Sequence, residues 1–310
     1  MNNSSNNSEN LQKLIDIGIA LSKEKNINKL LEKILIEARK ISHSDGGTLY
    51  LRTEDDRLSF KIMHNESKNI FFGGSYASVP TDKYYPVKLY INNEPNMHSV
   101  SAVCALKGET INIDNAYTDP NFDFSGPKGF DKKNDYRSKS FLNIPLKNHK
   151  DYIIGVLQLL NAQDEQKNII SFSEELVHLV ESLASQASIA LTNQLLIEEQ
   201  KHLFKSFIQL VAEALEKKDK TTGGHCTRVP QITMMVAETI NNTSNGKFKE
   251  FKFTDDEMEE LYVAGWLHDF GKVSTPESIM NKSTKLEGLY DKINFKKLKL
   301  EILMRDKIIS

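Results

Sequence analysis

From Ser173 to Thr222 the chain contains neither glycine nor proline. Those two residues end helices most readily, one through backbone freedom and the other through its missing donor. Leu176, Val180, Leu183, Ala187, Ala190, Gln194 and Ile197 recur there at alternating three- and four-residue steps, the spacing of one helical face. About 48 residues of helix at roughly 1.5 Å each reach about 70 Å, too long for one small domain to cap. The stretch therefore divides the 310 residues into a block before it and a block after it. Two packings are open to it. One is a connecting coiled coil that dimerises and joins the blocks, with Ala187 and Ala190 permitting close approach. The other is two consecutive helices, bent near Glu198-Glu199-Gln200, each packed on its own block.

The length suits about two domains of roughly 150 residues. Lys and Arg number 40 against 42 Asp and Glu, a balance that gives bulk nucleic-acid binding no support, so no nucleic-acid partner is expected. Cys104 and Cys226 are too few for a disulfide framework; free thiols imply a reducing, cytoplasmic setting. No stretch approaches the roughly 20 apolar residues of a membrane span. Residues 1–9 are rich in Asn and Ser and lack a signal peptide's apolar core, so they read as a disordered tail.

Residues 9–42 carry helical spacing through Leu14, Ile15, Ile19, Leu30, Leu31, Ile34 and Leu35, with an interruption at Asn26-Ile27-Asn28. Gly46-Gly47 opens a strand over 48–51, and residues 58–62 alternate like a half-buried second strand. Residues 66–96 read as a loop with short strands. A short helix over 99–106 stops at Lys107-Gly108. A strand over 110–113 precedes a long polar loop, 114–135. Strands at 140–146 and 152–160 are joined by a turn at 148–151. This is an α+β block with a central antiparallel sheet.

Ile113-Asp114-Asn115-Ala116-Tyr117-Thr118-Asp119-Pro120-Asn121-Phe122, Tyr136-Arg137-Ser138-Lys139-Ser140 and Ile154-Gly155-Val156-Leu157-Gln158-Leu159-Leu160-Asn161 resemble a GAF domain, a small-molecule sensor fold, over residues 10–195. The likeness is to the GAF domains of cyclic-nucleotide phosphodiesterases and adenylyl cyclases, some of which bind cAMP or cGMP. Those often place a lysine directly after the asparagine ending the last strand; here Ala162 follows Asn161. The resemblance implies a ligand pocket touching Val100, Ser101, Asp131, Ser138 and Gln158, with a cyclic nucleotide as a candidate ligand. The Gln158 amide could read a base edge, and Ser101 or Ser138 could bond a phosphate or ribose. The alternative is a set of satisfied polar residues around a differently filled pocket.

In the second block, residues 196–222 continue the connecting helix. Thr221-Thr222-Gly223-Gly224-His225 then breaks it. A helix follows from Val229 to Ile240, with Pro230 tolerated near its start. Thr254 and Glu257 form a capping box. The helix they open ends at His268-Asp269, with Gly271 in the turn after it. At a helix end both side chains can reach one ion, and imidazole and carboxylate suit Zn, Mn and Fe. His225, His268-Asp269, Gly271-Lys272 and Pro276 together resemble the HD superfamily of metal-dependent phosphohydrolases over residues 206–290. The match is closest to the HD-GYP branch, which hydrolyses cyclic di-GMP and related cyclic dinucleotides. The resemblance implies an all-α, partial HD domain over 223–310. It makes His225, His268 and Asp269 ligands of a divalent metal (Mn, Fe or Zn), dinuclear in a complete homologue. It gives catalytic roles to Asp269 and to Lys272, the latter beside the phosphate.

No histidine follows His268, Asp291 and Asp306 sit in no matching motif, and the Gly-Tyr-Pro segment of the branch is missing. Residues 283–309, with Lys285 to Asp291 running into a charged helix from Ile293 to Ile308, resemble a divergent branch. The expectation is a truncated product or fragment.

Three functions follow. The first is a GAF-regulated metal phosphodiesterase acting on a cyclic nucleotide or dinucleotide. The second is a catalytically inactive sensor, homodimeric through the 173–222 helix, with a degenerate HD portion. The third, a nucleic-acid hydrolase, is disfavoured by the balanced charge.

Overall fold

A computed structural model describes residues 2–218, 224–276, 279 and 292–309. The chain divides into two compact units, Met1–Glu198 and Glu199–Ser310.

The first unit begins with α1 (Asn2–Ser22) and α2 (Ile27–Ser42). Asn26 caps α2: its Oδ1 accepts from the Lys29 amide at 3.1 Å, satisfying one of the donors a helix start leaves over. Then come β1 (Ser44–Arg52), β2 (Arg57–Asn65), β3 (Ile70–Phe72), β4 (Val87–Lys88), β5 (Tyr90–Ile91) and β6 (Glu94–Pro95). Next are α3 (Val100–Lys107), β7 (Ile111–Ile113), α4 (Ser125–Asn134), β8 (Phe141–Lys147), β9 (Ile153–Gln163) and β10 (Ile169–Ile170). The main sheet runs β3-β2-β1-β9-β8-β7, with β4 on β2 and β10 on β9. Its pairings are antiparallel. The architecture is α+β.

Alternation along the central strands sends side chains to two different places. Leu49 and Leu51 of β1, Leu142, Ile144 and Leu146 of β8, and Leu157 and Leu159 of β9 enter a core with Leu30, Leu31, Ile34 and Leu35 of α2. The intervening residues, Tyr50, Phe141, Val156 and their neighbours, build smaller clusters with α3 and the loop before α4. Each fully buried leucine is worth roughly 1.5–3 kcal/mol of transfer free energy, so the helix-backed face holds the sheet.

Helix α5 (Glu174–Lys218) is continuous through Glu198-Glu199-Gln200, where the sequence left a bend open. Its N-terminal part sends Val180, Leu183, Ala184, Ala187, Ala190 and Leu191 into the helix-backed core. Of the two packings left open, the stripe at 180–190 thus takes the one that serves its own block: these residues close the unit's core, because α1 and α2 supply the apolar surface they need.

The second unit holds the remainder of α5, then α6 (His225–Asn242), α7 (Asp255–Leu267), a 3₁₀ turn (Phe270–Ser274) and α8 (Lys292–Ile309). Ile208 and Ala212 of α5 pack on Trp266, with Tyr262, Val263 and Leu267 around them. The capping box opens α7: Glu257 N–H donates to Thr254 Oγ1, and Thr254 N–H donates to Glu257 Oε2 at 2.8 Å.

Three expectations differ from what is seen. Helix α1 takes in residues 2–9, expected to be a tail; further along it Leu14 and Leu21 enter the core, and the polar run continues the same helix. The loop at 114–135 contains α4, whose Gly126, Pro127 and Gly129 mask it in sequence. Helix α6 starts at His225, not Val229, so Pro230 lies inside it and forfeits one backbone bond. Thr221-Thr222-Gly223 and Lys285 to Asp291 lie outside the described residues. Among the described residues, no helix is long and apolar enough to cross a membrane.

Candidate functional site

In the first unit a cavity of about 860 Å³ opens on the sheet face away from α2, between β1, β2, β8, β9, α3 and α4. Four of the expected residues line it: Val100 and Ser101 on α3, Ser138 before β8, and Gln158 on β9. At its floor, Tyr50 OH donates to Gln158 Oε1 at 3.2 Å. Gln158 Nε2 donates to Asn143 Oδ1 at 2.9 Å and to Ser101 Oγ at 3.1 Å. Ser101 Oγ in turn donates to Asn143 Oδ1 at 3.2 Å.

Both amide protons of Gln158 are thus used inside the protein, which corrects the picture of an amide free to read a base edge. Only a lone pair on Oε1 remains. Asn143 Nδ2 is buried and has no partner among the described residues. Burial pushes the Tyr50 phenol well above its ordinary value, so the floor carries no charge. Phe60, Tyr84, Phe124 and Phe141 give the walls aromatic faces, and Lys83 and Lys133 stand on the lining with Asp82 and Asp123.

Asp131 is not part of the lining. It lies on α4 with its side chain buried, and its Oδ1 accepts from Ser138 Oγ at 2.8 Å. Its Oδ2 accepts from the Ser138 amide at 2.8 Å and from Tyr117 OH at 2.6 Å. The carboxylate clamps α4 to the segment entering β8, so its contribution to the cavity is to hold one wall. The same bond occupies the Ser138 hydroxyl.

His64 on β2 also lines the cavity, edge-on to Phe71 at 5.1 Å and to Tyr76 at 5.4 Å. Its Nε2 is enclosed without a partner. Burial first, and the Arg39 charge second, lower its pKa and keep the ring neutral. Sequence reasoning missed Tyr50, His64 and Asn143. The alternation Thr48-Leu49-Tyr50-Leu51 and Leu142-Asn143-Ile144 held the signal: polar groups on the face opposite the leucines.

In the second unit, His225, His268 and Asp269 each offer a ligand atom, and these atoms lie within 4.8 Å of one another. Glu216 of α5 accepts from the His225 amide at 2.7 Å, supplying the cap that Gly224 cannot. His268 follows the last residue of α7, and its Nδ1 is 2.7 Å from the Gly265 carbonyl. A carbonyl only accepts, so Nδ1 carries the proton and Nε2 presents its lone pair, the usual support for a metal-ligating imidazole. That Nε2 is 3.1 Å from His225 Nε2 and 3.3 Å from Asp269 Oδ2. Lys272 Nζ lies 2.6 Å from Asp269 Oδ2. Gly265 lets α6 approach: a Cβ there would sit 2.9 Å from Pro230 Cα. Two imidazoles and one carboxylate are a donor set suited to a first-row divalent ion.

A family model described as "GAF domain" matches residues 26–191. Among curated proteins, the chain is 25% identical over 258 residues to "Dual 3',5'-cyclic-AMP and -GMP phosphodiesterase 11" of Drosophila melanogaster, covering 80% of this chain and 16% of that protein. It is 24% identical over 178 residues to "cGMP-specific 3',5'-cyclic phosphodiesterase" of Drosophila virilis, covering 57% of this chain and 18% of that protein. The matched part is thus under a fifth of the length of these relatives. Among solved structures, the GAF domain of an Acinetobacter phosphoenolpyruvate-protein phosphotransferase aligns at 16% identity and TM-score 0.44, over 62% of this chain and 98% of that one. Residues 122 to 287 of a methyl-accepting chemotaxis protein align at 19% identity and TM-score 0.42, over 58% and 98%.

Proposed function

This chain belongs to the GAF domain family, and we propose that it is a small-molecule signal receptor whose second unit carries an HD-type, metal-dependent phosphodiesterase centre. The cavity beside β1 and β9 takes the signal, with a cyclic nucleotide as the ligand class. Its aromatic walls suit a planar base, and Lys83 and Lys133 suit a phosphate. The names of the phosphodiesterase relatives support the same class.

The single observation behind the catalytic half is the convergence of His225, His268 and Asp269. These three would hold a divalent ion (Mn, Fe or Zn), which supplies Lewis-acid activation of water at neutral pH. The chain's own groups do the rest. The Gly265 carbonyl fixes the His268 ring. Asp269 orients Lys272, whose ammonium can neutralise the charge of a phosphate bound beside it. A second reading, a sensor with an inert second unit, is favoured by that same ion pair, because Lys272 already satisfies the Asp269 carboxylate.

Metal analysis after reloading the chelated protein separates the two. The first reading expects near-stoichiometric metal, lost in His268→Ala, and hydrolysis of bis(p-nitrophenyl) phosphate that falls with it. Metal-free protein, or hydrolysis equal in both, sinks the catalytic half. Calorimetric titration with cAMP and cGMP tests the receptor half; silence with both removes the cyclic-nucleotide assignment.

A further inference from the structure

Asparagine followed by glycine occurs once in the chain, at Asn245-Gly246. The pair lies in the loop between α6 and α7, and both residues are exposed. Gly246 adopts φ 81°, and a Cβ there would meet nothing within 4 Å. Among the described residues, neither the Asn245 side chain nor the Gly246 amide makes a hydrogen bond. The base of the same loop is held. Asn241 Oδ1 accepts from the Phe253 amide at 2.7 Å, Asn241 Nδ2 donates to the Phe253 carbonyl at 3.2 Å, and Lys252 Nζ donates to the Thr243 carbonyl at 3.3 Å. The loop is therefore clamped where it leaves α6 and open at its tip.

An asparagine side chain and the next backbone nitrogen are one bond short of a five-membered ring. Closing it needs a following residue with no Cβ in the way, a nitrogen not tied up in a hydrogen bond, and a backbone free to turn. Asn245-Gly246 meets all three conditions. Lys247 and Lys249 stand just after it, and their charge favours the deprotonated nitrogen that attacks. Two similar pairs elsewhere are blocked. Asp45-Gly46 is buried in β1, with the carboxylate accepting from Ser67 and Tyr136. Asn161, followed by Ala162, spends its amide on Tyr136 OH and the Arg137 carbonyl, both at 2.8 Å.

We propose that Asn245-Gly246 is a self-modification site, at which the chain converts its own asparagine through a succinimide. The Gly246 nitrogen gives its proton to solvent and bonds to Asn245 Cγ. Asn245 Nδ2 takes up a proton and leaves as ammonia. Water then opens the ring. Attack at the backbone carbonyl carbon gives isoaspartate, with the chain running through the side chain, and attack at Cγ gives aspartate. Either product carries one more negative charge than the formal net −2 of the chain. Helix α6 has 18 residues, about 27 Å at roughly 1.5 Å each, and the pair follows its end opposite His225. The proposal is therefore independent of the metal centre and of the cavity.

The full chain is incubated for days in buffers from neutral to mildly alkaline pH, then digested and mapped by mass spectrometry. The peptide carrying Asn245 is expected to gain about 1 Da, with isoaspartate in excess over aspartate, and to do so faster as pH rises. The peptides carrying Asn161 and Asn241 are expected to stay unchanged. Asn245→Gln, which lengthens the ring, and Gly246→Ala, which crowds it, are each expected to slow conversion about tenfold or more. Both positions are exposed, and unchanged far-UV circular dichroism shows that folding is intact. The chain unfolded in urea gives the rate of an unhindered pair, and the folded chain should come within about tenfold of it. No conversion in the folded chain, equal conversion at Asn161, or aspartate without isoaspartate overturns the proposal.

Discussion

Removing the Asp131 carboxylate should loosen one wall of the cavity and leave the rest of the sheet intact. In the native protein it accepts three hydrogen bonds, two from Ser138 at 2.8 Å each and one from Tyr117 at 2.6 Å. The Tyr117 hydroxyl reaches water, so that bond adds little. The two bonds to buried Ser138 involve an ionised acceptor and are each worth about 1.5–3 kcal/mol, so Asp131→Ala should cost about 3–6 kcal/mol. Asp131→Asn keeps the shape and an acceptor oxygen but loses the charge, and should cost about 1–2 kcal/mol. Urea unfolding of the full chain, followed through a first-unit signal, gives both values. Amide exchange should quicken in α4 and stay slow in β1 and β9. A second readout is independent of stability. The Tyr117 phenol lies above its ordinary value of 10.0, first through its bond to Asp131. In labelled-tyrosine spectra, Asp131→Asn should bring it down towards that value. An Asp131→Ala cost within 1 kcal/mol of zero, or equal costs for the two variants, would refute the clamp.

Two further outcomes follow from the geometry. Gly265→Ala places a methyl 2.9 Å from Pro230 Cα, so it should destabilise the second unit by about 1–3 kcal/mol and weaken metal uptake by shifting the carbonyl that holds His268; unchanged melting and uptake would show that α6 and α7 can part freely. His64 has a pKa lowered from 6.5, so the unfolded chain binds more protons just below that pH and the first unit should lose stability as pH falls through 6.5; in His64→Phe the melting temperature should fall less steeply below pH 6.5, and identical slopes would contradict the assignment.

The elements legible in the sequence were those with strong local codes. Asn26, Ser99 and Thr254 cap helices where short polar side chains precede apolar spacing. The Leu-rich alternation of residues 140–160 becomes β8 and β9. β1 and β2 form a local hairpin, but the placement of β1 beside β9 follows from a pairing distant in sequence and has no local code. Helix α4 was illegible because its Gly-Pro-Lys-Gly run has low helix propensity, while the bonds that anchor Asp131 come from outside the helix. For the sites, Ser101 and Gln158 were marked by a family resemblance, yet their bonding partners Tyr50 and Asn143 become neighbours only when β1, β8 and β9 align. Asp131 carried the right segment and the wrong task, since a carboxylate's partners cannot be read from its position in the chain. The direction of α5's apolar stripe was ambiguous for a similar reason. The spacing marks one apolar face, and only the presence of α1 and α2 decides what covers it.

The two-sidedness of β1, β8 and β9 has a corollary. Odd and even positions on one strand carry different burdens: leucines at 49, 142 and 157 fill the helix-backed core, and their neighbours at 50, 143 and 158 knit the cavity floor. Substituting every second residue can therefore reshape the cavity at little cost in thermal endurance. A one-residue insertion in any of the three would scramble both messages at once.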